Sequence, residues 1–244
     1  MEFEGIVIRR TSYKEGAAMI SVLTENRIRS FLAKGVLKIT SKNAPSVNLF
    51  TKSRFQTFNG EDGDFLRVGE VISSYPNITK SFEKLAILDF ISEVTNSLIG
   101  TGDAKDVYAF LEKTLESLNG EFSPLTALLI YFAKVLKASG YGLDVDSCAI
   151  CGQKRAITAI SLKDGGFICQ NCFDASMHVK TDPRKLKILR YIFKVDTENF
   201  TKVAFSNDEC KEIIFELCEF LNFSSQIEFK SLTLLSQIWK VHLK

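Results

Sequence analysis

The sequence predicts an α+β protein in which a small five-stranded β-barrel precedes a helical domain, with a compact cysteine-bearing ribbon inserted in the helical part. Three observations support this fold class. Alternating apolar segments with turn residues between them fill about the first 75 residues, apolar residues recur at helical spacing after Pro76, and two Cys-x-x-Cys pairs interrupt the helical pattern. The expected domains are 1–78 and 79–244, with the ribbon at about 144–180.

The barrel strands follow from alternating apolar residues. In the first strand, Ile6 and Ile8 alternate with other residues between Gly5 and Arg10. The remaining four strands are expected at 17–23, 27–34, 50–58 and 65–75. Five short strands at this spacing are typical of a small barrel, and the OB type fits the pattern best. The loop 35–48 then joins the third strand to the fourth.

The helices follow from apolar stripes and from N-terminal signals. Ser123 precedes Pro124 as an N-cap, Asp182-Pro183 begins another helix, and Ser206 with Glu209 forms a capping box. The five expected helices cover residues 87–98, 107–118, 125–136, 182–195 and 206–221.

The two Cys-x-x-Cys pairs are separated by 17 residues, which is the spacing of a four-cysteine zinc site. Two thiolates on one tight turn reach the same ion, and two such turns complete its tetrahedron. The segments 157–162 and 167–169 are predicted as strands joined by a turn, which is the layout of a zinc ribbon. Because a closed four-sulfur site leaves no position for water, one structural zinc ion is expected. The predicted ligands are Cys148, Cys151, Cys169 and Cys172.

Other interpretations of the cysteines are less favoured. Disulfides are unexpected because the N-terminus, with Glu2 and Glu4, lacks the basic and apolar regions of a signal peptide. His178, just beyond the second pair, is an alternative metal ligand. Cys210 and Cys218 lie on the apolar stripe of the last predicted helix, so we expect both in the core.

The net charge of +2 hides an uneven distribution of charge along the chain. Residues 26–60 contain seven Lys and Arg residues and no Asp or Glu. Such a stretch predicts a positive face that follows a phosphate backbone, or else a solvated surface whose acidic partners come from elsewhere in the fold. With two arginines of the first strand, the candidate contacts to nucleic-acid phosphates, and to DNA in particular if the ligand is DNA, are Arg9, Arg10, Arg27, Arg29, Lys34, Lys38, Lys42 and Arg54.

Two further groups of residues have alternative roles. The aromatic residues Phe31, Phe55 and Phe58 either stack on nucleic-acid bases or fill the barrel interior. The helix at 182–195 carries five Lys and Arg residues. It either extends the DNA path, receives an acidic peptide, or presents a solvated basic face.

The sequence contains none of the P-loop, dinucleotide-binding, zinc-protease or serine-hydrolase motifs, and its two histidines are not near an obvious nucleophile. Its longest apolar run, at 125–133, is too short to span a membrane. The sequence therefore predicts a soluble, cytoplasmic protein that is not an enzyme.

The order of barrel, helical domain and inserted ribbon resembles RecO, the bacterial recombination-mediator family, over nearly the whole chain. The loop after Gly35 is less rich in arginine than is usual in that family. The matching motifs are Val7-Ile-Arg9, Tyr13-x-Glu15, Leu23-Thr24, Ala33-Lys-Gly35, Glu70-Val-Ile-x-Ser74-Tyr-Pro76, Gly140-Tyr-Gly142-x-x-x-Asp146-x-Cys148-x-x-Cys151-Gly152 and Gly165-Gly-x-x-Cys169-x-x-Cys172.

The resemblance implies a DNA repair protein whose OB barrel binds single-stranded DNA and helps complementary strands anneal into duplex DNA. It implies two partners, RecR and the single-stranded-DNA-binding protein, whose acidic C-terminal tail docks on the helical part. The implied task is to help recombinase load onto coated strands in the nucleoid, without nucleotide hydrolysis, a membrane or a small-molecule substrate. The residues alone leave two other functions open: an RNA-binding or translation-associated protein, and an enzyme that uses the cysteine site.

Overall fold

The chain begins with a closed five-stranded barrel, which confirms the predicted OB-type fold. The computed structural model describes residues 1–61, 63–99 and 104–240. The barrel strands are β1 (Glu2–Tyr13), β2 (Ala17–Leu23), β3 (Ile28–Ala33), β4 (Lys52–Gly60) and β5 (Gly63–Ser73). They close in the order β1-β2-β3-β5-β4, in which β3 runs parallel to β5 and the other neighbours are antiparallel.

Strand β1 closes the barrel because it pairs with two neighbours along its length. Its first half pairs with β4 and its second half with β2, and the register shifts between Val7 and Arg9. A shift of this kind is a β-bulge, which bends the strand around the barrel. At Gly5 a Cβ atom would lie 2.4 Å from Val22 Cγ1, so only glycine fits where β1 crosses β2.

Six helices follow the barrel in the described residues, and none of them is long and apolar enough to cross a membrane. Five of them correspond to predicted helices, whereas α6 was not predicted. The hydroxyl or carboxylate of Ser123, Asp182 and Ser206 accepts a backbone hydrogen bond at three of the predicted helix starts. The helices are α1 (Phe82–Leu98), α2 (Lys105–Asn119), α3 (Pro124–Ala138), α4 (Pro183–Lys194), α5 (Asn207–Ser225) and α6 (Lys230–Trp239).

The ribbon between α3 and α4 is a three-stranded sheet. Its strands are β6 (Asp144–Cys148), β7 (Ile157–Ser161) and β8 (Gly166–Cys169), and they are ordered β6-β8-β7. The β7–β8 hairpin was predicted, and β6, which pairs in parallel with β8, was not. At Gly166 a Cβ atom would lie 2.3 Å from the carbonyl oxygen of Asp144, so glycine permits this close pairing.

Helix α3 forms the centre of the helical core. All twelve residues from Leu125 to Leu136 are buried, so this helix has no solvent-facing side over that length. The one phenol among them, Tyr131, shares a buried hydrogen bond of 2.6 Å with the Thr95 hydroxyl of α1. The packing of the other helices around α3 therefore determines the shape of this half of the protein.

The barrel and the helices share one continuous core. Ile8 of β1 and Phe50, just before β4, belong to the same buried apolar cluster as the helices, so the core crosses the expected boundary at residue 78. Polar contacts support this packing: the Ser92 hydroxyl donates to the Ile8 carbonyl at 2.6 Å, and Lys52 pairs with Glu112 at 2.6 Å. The helices consequently hold the barrel in a defined orientation.

Lys134 of α3 is buried and binds the end of α4. Its Nζ donates to the carbonyls of Phe193 at 3.0 Å and Val195 at 2.5 Å. A cation at a helix C-terminus interacts favourably with the unpaired carbonyls. Burial, assisted by the positive charge of Lys137, lowers the pKa of Lys134 from 10.5 to about 8.

We expect this shift to make the protein more stable between pH 8 and about 10. In that range the folded state loses the Lys134 proton while the unfolded state keeps it, so the free energy of unfolding rises with pH. Urea unfolding of wild type and of Lys134→Met at pH 7.5 and pH 9.5 measures this contribution. We expect the free energy of unfolding to rise more with pH in wild type than in Lys134→Met. An identical pH dependence in the two proteins would contradict it.

Candidate metal centre and nucleic-acid surface

The four predicted cysteine ligands meet at one end of the ribbon. Their sulfur atoms all lie within 4.8 Å of one another, and the Sγ atoms of Cys151 and Cys169 are 3.7 Å apart. Tetrahedral zinc with Zn–S bonds of about 2.3 Å places its ligand sulfurs about 3.8 Å apart. The donor set and its spacing therefore fit a tetrahedral ion that prefers sulfur.

Each cysteine pair lies on a tight turn that points both sulfurs inward. The Gly152 amide donates to the Cys148 carbonyl at 2.8 Å, and the Cys172 amide donates to the Cys169 carbonyl at 3.1 Å. Gly152 has φ of +74°, a left-handed conformation that glycine adopts without steric cost. The glycine directly after the first pair is thus part of the local structure that places the ligands.

The backbone around the first cysteine favours the thiolate form. Burial acts to raise the pKa of the Cys148 thiol, but hydrogen bonds from the backbone N–H groups of Cys169, Cys151 and Ile150 lower it to about 6. Since the thiolate is the form that binds metal, this sulfur can bind a cation at neutral pH.

His178 is not positioned as a metal ligand, because both of its ring nitrogens are engaged elsewhere. Its Nδ1 accepts from the Asp174 amide at 3.0 Å, and its Nε2 lies 3.0 Å from a carboxylate oxygen of Asp164. An accepting Nδ1 leaves the proton on Nε2, which then donates to Asp164. The side chain is buried and ties the β7–β8 turn to the segment after the second cysteine pair.

The other two cysteines lie in the helical core, as expected. Cys210 and Cys218 of α5 are buried, and burial raises the pKa of the Cys210 thiol to about 11. Both side chains pack in the main apolar cluster. They behave as small apolar residues.

Three of the candidate DNA contacts form an exposed lysine group at one end of the barrel. Lys34 directly follows β3, and Lys38 and Lys42 lie further along the loop to β4. Among the described residues, no carboxylate pairs with any of the three. These three cations are therefore available to an external anion.

The loop that carries Lys38 and Lys42 is fixed to the barrel by side-chain contacts. Asn43 donates through Nδ2 to the Arg67 carbonyl at 3.3 Å and accepts from the Gly69 amide at 3.2 Å. It thereby occupies the edge of β5 as a neighbouring strand would. The lysines project from a loop of defined position.

The remaining candidate cations of the barrel lie apart from the lysine group. Arg54 pairs with Glu4 at 2.8 Å, so for this residue the acidic partner does come from elsewhere in the fold. Arg10 donates to the Asn48 amide oxygen at 3.1 Å, and Arg9 lines a polar cleft with Asp89 and Glu93.

Arg27 and Arg29 lie at the opposite end of the barrel from the lysine group. The six-residue strand β3 separates Arg27 from Lys34, and the seven residue steps between them span about 23 Å when extended. The Arg29 guanidinium lies 4.8 Å from the centre of the Phe3 ring and is half-buried there. The candidate contacts thus form two separate positive regions.

Most of the cations of the basic helix α4 have partners on neighbouring elements of the fold. Four of its five cations bind groups of α5 or of the ribbon, so α4 joins these two elements and does not present an open basic face. The pairs are Arg184 with Glu209, Lys185 with Glu212 and Glu216, Arg190 with the Val145 carbonyl, and Lys194 with Asp146.

The three candidate aromatic residues divide between the interior and the surface. Phe31 and Phe55 are buried in the barrel, where their ring centres lie 5.2 Å apart. Phe58 is 52% exposed and stacks on Phe65 of the neighbouring strand. Phe65 and Lys14 lie beside Lys34 of the lysine group, and no pattern in the sequence indicated them, because only the strand register brings them there.

Comparison with known proteins identifies similar sequences along most of the chain. Residues 1–75 match the family model described as Recombination protein O N terminal, and residues 79–233 match Recombination protein O C terminal. A protein of Listeria innocua is 30% identical over 198 residues, which is 79% of this chain and 78% of that protein. A protein of Bacillus cereus is 29% identical over 251 aligned positions, covering 98% of both chains. A third, from Oceanobacillus iheyensis, is 27% identical and covers 97% of this chain and 93% of its own. All three bear the name DNA repair protein RecO.

Proposed function

The chain belongs to the RecO family of DNA repair proteins, and from that membership we propose that it acts as a recombination mediator. It binds single-stranded DNA, anneals complementary strands, and works with RecR and the single-stranded-DNA-binding protein to load recombinase onto coated strands. The observation that carries this proposal is the family match along both parts of the chain, together with the exposed lysine group on the barrel.

The lysine group supports DNA binding through phosphates. Cations that neutralise phosphates release condensed counterions, which gives binding that is independent of base sequence and weakens with salt. Lys34, Lys38 and Lys42 suit this role because they are exposed and because the Asn43 contacts fix their loop. Arg27 and Arg29 provide a second positive region along the same barrel.

We propose that the four-cysteine cluster holds one zinc ion, bound by Cys148, Cys151, Cys169 and Cys172. When bound, zinc supplies four coordinate bonds that crosslink the two turns of the ribbon. The protein then positions this ribbon against α4 through the Arg190 and Lys194 contacts, and against the main core through Phe167. The role of the ion in this proposal is structural, because four sulfur ligands leave no open coordination position. We also propose that the protein is not an enzyme, because the sequence contains none of the catalytic motifs considered above.

Comparing DNA with RNA tests the proposal against its RNA-binding alternative. We expect the protein to bind a labelled single-stranded DNA in a fluorescence anisotropy titration and to bind RNA of the same sequence no more tightly. The three lysine contacts, at about 0.7 each, contribute about −2 to the slope in a plot of log K against log salt concentration. Clear preference for RNA, or no binding to DNA at low salt, would contradict the proposal.

A further inference from the structure

The four cysteines of the cluster differ in their access to solvent. Cys148 and Cys169 are each 1% exposed and Cys172 is half-buried, whereas Cys151 is exposed. A structural metal site is stabilised by burying all of its sulfurs, because reagents in solution then cannot reach them. Here a small oxidant in solution meets the Cys151 sulfur before the other three.

The segment around Cys151 is positively charged as well as exposed. All residues from 150 to 156 are exposed, and they include Lys154 and Arg155. The longer stretch 147–163 contains no Asp or Glu. Positive charge favours the thiolate form of a cysteine, and partly exposed cysteines in such surroundings are the ones that react with oxidants. The surroundings of Cys151 are therefore those of a reactive cysteine.

A second sulfur lies close enough to react with an oxidised Cys151. The Sγ atom of Cys169 is 3.7 Å from that of Cys151. Cys169 is the last residue of β8, whose four residues are all buried, so its position is fixed by the sheet. A disulfide bond of about 2.05 Å then requires only a small movement of the two side chains. Because the two cysteines lie on different turns, this bond would join the two halves of the cluster.

We propose that Cys151 is an oxidation site, at which a hydroperoxide converts the four-cysteine cluster into a Cys151–Cys169 disulfide. This inference rests on the proposed zinc site and adds a reaction by which the cluster loses its ion. The exposed sulfur reacts first, and the buried sulfur beside it completes the bond.

The reaction has two steps, and both begin at a cysteine sulfur. The Cys151 thiolate attacks an oxygen of the hydroperoxide, so that an S–O bond forms, the O–O bond breaks and an alkoxide or hydroxide ion leaves. The Cys169 thiolate then attacks the sulfur of the resulting sulfenic acid, so that the S–S bond forms and hydroxide leaves. The two sulfurs together lose two electrons, and these reduce the hydroperoxide.

The oxidised ribbon differs from the zinc-bound ribbon in a defined way. The new bond removes two of the four ligand sulfurs, so the cluster no longer holds zinc. The disulfide still joins the first turn to β8, which pairs with both β6 and β7 at the centre of the sheet. Cys148 and Cys172 become free thiols, so the turn that carries Cys172 loses its bond to the rest of the cluster.

The test treats the zinc-loaded full chain with hydrogen peroxide and measures zinc release with a coloured chelator and disulfide pairing by peptide mass mapping. We expect wild type to release zinc in step with the appearance of the Cys151–Cys169 crosslinked peptide. Cys151→His still offers four zinc ligands, since imidazole also binds zinc, but it cannot form the disulfide. We expect zinc release from this variant to be slower than from wild type by about tenfold or more. Cys218→Ala is the matched control with wild-type release, because its thiol is buried outside the cluster.

Peptide mapping of wild type decides the proposal whatever the metal content of the variants. A first disulfide between any other pair of the four cysteines would overturn it, and so would oxidation of Cys151 that stops at the sulfinic acid without a disulfide. Zinc release from Cys151→His at the wild-type rate would overturn it as well. Absence of zinc from wild type would instead contradict the proposed metal site, and the pairing found in the peroxide-treated protein would still support or overturn the oxidation site.

Discussion

Cys169→Ala is expected to abolish binding of the proposed zinc ion and to unfold the ribbon. Cys169 is buried at the end of β8, with its sulfur 3.7 Å from that of Cys151. A ligand that binds only the folded state contributes about 4 kcal/mol to stability when its free concentration is a thousand times its dissociation constant. We therefore expect the free energy of unfolding to fall by about that amount.

Metal analysis and amide hydrogen exchange measure this effect. In wild type we expect one zinc ion per chain and protected amides in β8, and in Cys169→Ala we expect neither. The matched control is Cys218→Ala, which removes a buried thiol of α5 that lies outside the cluster. Full zinc content in Cys169→Ala, or equal zinc loss in Cys218→Ala, would show that the four-cysteine cluster is not the metal site.

Charge reversal of the lysine group is expected to produce the largest loss of DNA binding. Each phosphate contact with a single strand contributes about 0.7 to the salt slope, so removing three lowers its magnitude by about 2. Between 1 M and 0.1 M salt, the same contacts raise the affinity for single-stranded DNA by about a hundredfold. The variant Lys34→Glu, Lys38→Glu, Lys42→Glu should show both changes, because these lysines have no carboxylate partner among the described residues.

A second triple variant distinguishes a local contact from an effect of net charge. Lys163→Glu, Lys187→Glu, Lys202→Glu changes the net charge equally at exposed positions in the ribbon and the helical part. We expect its salt slope to stay close to that of wild type in anisotropy titrations. Equal losses in the two variants would show that net charge, and not the barrel surface, determines DNA binding.

The parts of the fold that could be predicted are those encoded by neighbouring residues. The spacing of the four cysteines and the turn glycine Gly152 specify the cluster locally, and the capping box at Ser206 marks the start of α5. Helix α6 was missed because its cap comes from a distant residue. The Glu93 carboxylate of α1 accepts hydrogen bonds from the Lys230 and Ser231 amides, at 3.0 and 2.8 Å.

The proposed DNA-binding surface was only partly predictable, because residues that are distant in the sequence contribute to it. The acid-free stretch correctly pointed to Lys34, Lys38 and Lys42 as exposed cations, but it could not show that Glu4 on β1 would neutralise Arg54. The position of Phe65 beside Lys34 depends on strand register, and its pairing with Leu32 joins strands that are not adjacent in the sequence.

Fluorescence-monitored annealing of complementary DNA strands coated with the cognate single-stranded-DNA-binding protein tests the mediator proposal most directly. We expect wild type to accelerate annealing of coated strands, and we expect the Lys34, Lys38, Lys42 charge reversal to abolish the acceleration. Acceleration on bare strands alone would limit the protein to annealing and contradict its action on coated DNA. No acceleration on bare or coated strands would contradict the proposed function as a whole.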